Sequence, residues 1–332
     1  MQTALANNRH TRRRIHIRPN LTIMKGTIAD LKFIRYGDMV VPVIMGKERK
    51  KVINSISPQA LYDYVNNIIT VNNNAKAQST SISGWNSSPG NTIKLLNNGS
   101  VVQTLSATVI PVLNGSTVIW VFIVNDLSSA SYSANQVNLF ASVNYASSAG
   151  LLYSPPFNLA TATTSIAKQS GDAISFIWEI QVNLGSDALP AFILGILYSI
   201  PTSPLCGGTG GTFGGVNGAS CSFPYYLSTI TIQYVGGSSS GNISSITATY
   251  DGTNTYLIIS ASVPLSSQVT VTSIVVGVQT TQNYSQQYCN YYGFCLNGQL
   301  VESGSAIQIP YSATLPASTI AVTVTIEFSP AT

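Results

Sequence analysis

Chemistry in this sequence must come from few residues, because only 8% of its 332 residues are charged. An average soluble domain carries roughly 25%. Both histidines, His10 and His16, stand inside one basic run, Arg9-His10-Thr11-Arg12-Arg13-Arg14-Ile15-His16-Ile17-Arg18. The rest of the chain therefore has no histidine for a Ser-His-Asp or Cys-His nucleophile. Beyond residue 51 the acids number eight and are scattered. Glu179 and Glu327 each fall in a late apolar run, where a duplicated strand position accounts for them as readily as catalysis does. The stretch Gly207–Gly215 lacks the Gly-Lys-Ser/Thr of a phosphate loop, and it does not match GxGxxG. Trp85, Trp120 and Trp178 read as core or interface rather than as sugar platforms. The expectation is a protein without enzymatic activity, cofactor or metal.

Three other residue sets could carry function. Arg9, Arg12, Arg13, Arg14 and Arg18 suit phosphates, of nucleic acid or of lipid headgroups. The bland alternative is a solvated tail, or a strand whose arginines pair with a neighbouring subunit. Cys206 and Cys221 bracket a Gly-rich loop, and Cys289 and Cys295 bracket Asn-Tyr-Tyr-Gly-Phe. Pairing within each bracket is the local one of three connectivities. The first bridge would contribute roughly 3 kcal/mol by loop entropy. Neither spacing is C-x-x-C and no histidine is near, which argues against zinc. Six Asn-x-Ser/Thr sequons stand at Asn20, Asn86, Asn98, Asn114, Asn242 and Asn283. The last five lie in expected turns or loops, where a glycan would be exposed.

The elements that position these residues divide the chain by charge. Residues 1–51 hold twelve Lys/Arg against three acids, a net +9; residues 52–332 hold three against eight, a net −5. No apolar h-region follows the arginines, so the run does not read as a secretory signal. The longest nearly unbroken apolar stretch, Ala188 to Ile200, is well short of the ~20 residues of a membrane span. Leu31–Tyr36 and Met39–Met45 read as a hairpin turning at Gly37-Asp38, with Pro42 confining the second run to an edge. Ser57-Pro58 fits an N-cap and first helical position, and Leu61, Tyr64, Val65, Ile68 and Ile69 continue a helix over about 58–70. The expected division is a basic arm and base over 1–75, a linker over 76–89, a first β-sandwich over 90–200, a Gly-rich Cys loop over 201–226, and a second β-sandwich over 227–332. Removing residues 1–51 should then leave a folded body.

The body is β throughout and carries an internal repeat. Asn98-Gly99-Ser100 leading to Pro111 resembles Asp251-Gly252-Thr253 leading to Pro264. Ser170-Gly171-Asp172-Ala173-Ile174 is echoed by Ser303-Gly304-Ser305-Ala306-Ile307, and Leu189-Pro190-Ala191 by Leu315-Pro316-Ala317. Expected strands include Val118–Val124, Val137–Val143, Ile174–Val182 and Phe192–Ile200, then Thr229–Tyr234, Thr255–Val263, Val269–Val278 and Ile320–Phe328. Short strands with Gly, Asn and Ser turns point to a mainly β fold of tandem antiparallel sandwiches, jelly-roll-like.

A basic N-terminal arm with one helix, followed by nearly chargeless strands such as Ala321-Val322-Thr323-Val324-Thr325-Ile326-Glu327-Phe328, resembles virion structural proteins of hyperthermophilic archaeal viruses. Turret, penton-base and jelly-roll capsid proteins of Sulfolobus-type icosahedral viruses are the nearest in plan. The resemblance covers the chain in architecture and composition and rests on no motif. It implies a base held in a capsid, reached by assembly in the host cytoplasm, with sandwiches projecting outward around a fivefold axis. The implied partners are other capsid proteins, further copies of the chain as a pentamer, nucleic acid or an inner membrane at the basic arm, and a host receptor. Two alternatives stand beside it: a double-jelly-roll major capsid protein, which should lack a separate base, and a cell-surface adhesin or carbohydrate-binding module.

Overall fold

From Ile15 onward the basic run alternates apolar and polar residues, the period of a strand, and in the computed structural model it forms one. β1 (Thr11–Gly26) turns Ile15, Ile17, Leu21 and Ile23 into the core and leaves Arg14, His16 and Arg18 on the exposed face. The structure describes residues 11–36, 39–63, 65–66, 69, 91–114, 117–141, 144–147, 150–153, 156–183, 225–280, 295–296, 299–300 and 303–330. Among these residues the chain is mainly β, built on a large curled sheet with one short α-helix.

After β1 come the expected hairpin of β2 (Leu31–Tyr36) and β3 (Met39–Ile44), then β4 (Glu48–Val52) and β5 (Asn54–Ser55). The helix begins where the Ser57-Pro58 pattern places it and includes residues 58–63, 65–66 and 69. The Ser57 hydroxyl accepts from the Ala60 N–H at 3.0 Å, and Ile56 and Leu61, both buried, flank that cap as a hydrophobic staple.

The first half of the β body follows. Its strands are β6 (Thr92–Asn97), β7 (Ser100–Ser106), β8 (Thr108–Asn114), β9 (Thr117–Asp126), β10 (Tyr132–Ala141), β11 (Asn144–Ser147), β12 (Gly150–Tyr153), β13 (Phe157–Lys168) and β14 (Ala173–Asn183). One sheet runs β5-β13-β10-β6-β7. The facing layer is β8-β9-β14-β1, with β4 beside β1. Trp120, Phe122 and Val124 of β9 meet Trp178, Phe176 and Ile180 of β14 in the core between the sheets. On the outer side, Val121, Ile123 and Ile177 pack beneath Val41 and Val43 of the β2–β3 hairpin, so β14 is covered on both faces. The buried Ser175 hydroxyl anchors that hairpin by accepting the Ile44 N–H at 2.7 Å.

The second half comprises β15 (Tyr225–Tyr234), β16 (Gly237–Tyr250), β17 (Thr255–Pro264), β18 (Val269–Thr280), the short pair β19 (Cys295–Leu296) and β20 (Gln299–Leu300), β21 (Ser303–Leu315) and β22 (Thr319–Pro330). Its strand order is β21-β18-β15-β16-β17-β22. β16 pairs β15 through Asn242 and β17 from Ile243. Gly241 sits at that change of partner, and a Cβ there would stand 2.0 Å from the Ser262 carbonyl oxygen.

The two halves have the same strand order. β13-β10-β6-β7 followed by β8-β9-β14 in the first corresponds to β21-β18-β15-β16 followed by β16-β17-β22 in the second. β7 and β8, with only Ala107 between them, do in two strands what β16 does in one bent strand. The core keeps register too: Ile174, Phe176, Trp178, Ile180 and Val182 match Ile320, Val322, Val324, Ile326 and Phe328, all buried. The repeated unit thus has seven strand segments in one order, with β16 supplying two of them.

The repeat differs in alignment from the one the sequence suggests. Asn98-Gly99 closes β6–β7, whose counterpart is the β15–β16 turn at Gly236; both glycines have positive φ, 83° and 90°. Asp251-Gly252 closes β16–β17 instead. Ser170–Ala173 leads into β14, whereas Ser303–Ala306 opens β21, one strand earlier in the unit. Residues 189–191 and the expected strand over 192–200 lie outside the described residues, as do the expected linker and most of the Gly-rich loop.

The first described strand of the N-terminal segment belongs to the main sheet. β1 runs parallel to β22 over Thr11–Ile17 and antiparallel to β14 over His16–Gly26, so it is the seam that joins both halves in one sheet of eleven strands.

Candidate functional site

Three strand ends bring together the one wholly buried ion pair among the described residues. Asp126 ends β9, Tyr132 opens β10, and Lys168 ends β13 directly opposite Tyr132. β9 belongs to the large sheet and the other two to the five-stranded one, so the cluster bridges the two sheets. The side chains of Asp126 and Lys168 are 0% exposed, with Lys168 Nζ 3.9 Å from Asp126 Oδ1. Ser128 donates to Oδ1 from its backbone N–H at 3.0 Å and from its hydroxyl at 2.6 Å. The Tyr132 hydroxyl donates to Oδ2 at 2.8 Å. Lys168 Nζ also donates to the carbonyl oxygens of Ser128 and, at 3.1 Å, of Ala130. Burial, followed by the hydrogen bond to Asp126 and its charge, pushes the Tyr132 phenol far above its usual range. At the rim Asp172 binds Lys25 Nζ at 2.9 Å and accepts the Gln169 N–H at 2.7 Å, with the backbone bond the larger cause of its lowered pKa.

The second half of the chain supplies an internal control. Asp126 pairs with Ile174 as Val263 pairs with Ile320, and Tyr132 pairs with Lys168 as Val269 pairs with Leu315. Ser128, two residues after Asp126, corresponds to Leu265. Val263, Leu265, Val269 and Leu315 are all buried in the core. One fold therefore fills the same four positions with Asp, Ser, Tyr and Lys in one half and with aliphatic residues in the other.

A second locus is the exposed face of β1. Arg14 pairs with Glu327 of β22 through Nε at 3.1 Å and a second nitrogen at 3.4 Å; Glu327 is 1% exposed and Arg14 58%. Arg14 thus neutralises a buried carboxylate of this chain. Register places Lys51 opposite Thr22 and Arg49 opposite Met24, so both exposed cations share the face of Arg14, His16 and Arg18. Arg12 and Arg13 lie on β1 opposite Thr325 and Ile326; Arg9 lies outside the described residues.

Of the expected glycan acceptors, Asn98 and Asn242 are exposed, Asn20 is half-buried, and Asn114 ends β8. Asn86 and Asn283 lie outside the described residues, as do Cys206, Cys221, Cys289 and Trp85; Cys295 opens β19. Trp120 and Trp178 are core residues, as the sequence reading holds. Glu179 and Glu327 do not share a repeated position: in the strand register Glu327 matches Gln181, and Glu179 matches Thr325. No group of three His, Cys, Asp or Glu side chains suited to a metal occurs among the described residues. No helix there is long and apolar enough to cross a membrane. Comparison with protein-family models, curated proteins and solved structures finds no match.

The buried cluster escapes sequence reading because Asp126 and Lys168 stand 42 residues apart. The signal that could have found it is the repeat in its correct alignment, which sets Asp, Ser, Tyr and Lys against Val, Leu, Val and Leu.

Proposed function

We propose that this chain is a non-enzymatic structural subunit of a virion, a shell protein in which two β-sandwiches side by side form one tile. The observation that carries this reading is the single eleven-stranded sheet shared by two halves of equal strand order. Sharing a sheet fixes the halves rigidly, which suits a load-bearing wall more than a flexible stalk. The turret or penton reading asks residues 1–75 to be a separate base, and β1 inside the sheet favours the double-sandwich alternative. In this reading the partners are further copies of the chain, and the cationic face of Arg18, Arg49 and Lys51 meets a polyanion inside the particle.

The test is assembly of the purified full chain, followed by sedimentation velocity and negative-stain electron microscopy with and without double-stranded DNA. Closed shells or cyclic oligomers, promoted by DNA at low salt and weakened in R18E/R49E/K51E, support the proposal. A chain that stays monomeric at high concentration in both conditions overturns it.

A further inference from the structure

We propose that Asp126 and Lys168 condense into an intramolecular amide, a covalent bond between the two sheets of the first half. Only three Lys/Arg occur after residue 51, and one of them is wholly buried beside an equally buried carboxylate. The fold does not require these charges, since the second half holds Val263, Leu265, Val269 and Leu315 at the same four positions. A buried ion pair is commonly no more stabilising than aliphatic residues of similar volume. The polar set therefore calls for a chemical reason to occupy this site.

The surrounding donors are arranged for that condensation. Proton transfer from the ammonium to Asp126 Oδ2 gives an amine and a carboxylic acid, the pair that can condense. The Nζ lone pair attacks Cγ, and the C–N bond forms as the carbonyl π pair moves onto Oδ1. The N–H and O–H of Ser128, already on Oδ1, hold that developing oxyanion. A second proton passes from Nζ to Oδ2, the Cγ–Oδ2 bond breaks, and Oδ2 leaves as water. Of the three ammonium protons, two depart in that water and one remains on the amide. The Tyr132 hydroxyl, hydrogen-bonded to Oδ2, assists the leaving oxygen and is itself unchanged. The carbonyls of Ser128 and Ala130 hold Nζ beside the carboxyl group until reaction. The step needs no oxidant, metal or second substrate.

The test is the intact mass of the purified full chain, fully reduced and denatured so that disulfides contribute nothing. The expected mass is about 18 Da below that of the sequence, one water lost. Tandem mass spectrometry of a digest should find the segment holding Asp126 joined to the segment holding Lys168. K168R and D126A should return to the sequence mass, and Y132F should slow the appearance of the linked form. D126V/S128L/Y132V/K168L, which copies the second half, serves as a folded, unlinked reference should the single variants fail to fold. A folded wild-type protein at the unmodified sequence mass overturns the proposal, as does a lost water that maps to other residues.

Discussion

Replacing Lys168 by methionine keeps most of the side-chain volume and removes the cation that faces Asp126. The carbonyls of Ser128 and Ala130 lose their donor, and a wholly buried carboxylate loses its counter-ion. Removing one partner of such a pair costs about 3–5 kcal/mol, a large share of the roughly 5–15 kcal/mol that holds a domain together. If the amide forms, its loss adds about 4 kcal/mol, by the loop-entropy relation applied to a closure of this length. Tryptophan fluorescence during urea unfolding reads this effect selectively. Trp120 and Trp178 are buried in the first half, and no tryptophan follows residue 178, so the signal comes from that half. K168M should unfold at markedly lower urea than wild type. The loss should persist at high salt, because screening acts weakly on a buried pair. D126V/S128L/Y132V/K168L should regain at least 3 kcal/mol over K168M, since it restores an aliphatic set that the other half already packs. K168M within about 0.5 kcal/mol of wild type, or a quadruple variant no more stable than K168M, would refute the reasoning.

Other perturbations test other parts of the fold. Arg14→Ala should cost about 1.5–3 kcal/mol in thermal unfolding through its charge-assisted bonds to buried Glu327, whereas Arg18→Ala on the open face should stay within about 0.5 kcal/mol. Tyr132 keeps its proton in the folded protein above the ordinary value of 10.0, while the unfolded chain releases it there. Stability should therefore hold below pH 10 and fall as pH rises beyond it, and Y132F should flatten that alkaline loss in unfolding measured across the range. Gly241→Ala forces a methyl group against the Ser262 carbonyl at the bend of β16 and should cost about 1–3 kcal/mol or more by chemical denaturation.

Local chemistry was legible in the sequence. The Ser57-Pro58 cap, the 31–36 and 39–44 hairpin, and the strands holding Trp120, Trp178 and Phe328 depend on turn residues and on periods of two or about four. Of the three sequence echoes, two join unlike turns, because Asn-Gly, Asp-Gly and Ser-Gly turns look alike wherever they close, and the third falls outside the described residues. Pairing between distant strands leaves no such mark. Nothing adjacent in sequence tells Asp126 that it faces Lys168, or Arg14 that it meets Glu327.

β1 shows most plainly how one pattern supported two readings. Arg14, His16 and Arg18 gave it the composition of a solvated arm, while Ile15 and Ile17 between them gave it the alternation of a half-buried strand, and the alternation describes its place in the fold. Burying Ile15, Ile17, Leu21 and Ile23 contributes about 1.5–3 kcal/mol each, a sum comparable to the whole stability of a domain. Deleting residues 1–51 should therefore unfold the first half and bare the β22 edge, with loss of cooperative melting and gain of aggregation in light scattering. A truncated chain that stayed monomeric with its core intact would show that β1 is dispensable. Truncation consequently cannot separate a polyanion contact from the fold. Substitutions confined to the exposed face, at Arg18, Arg49 and Lys51, can do so, because their side chains leave the buried row of isoleucines untouched.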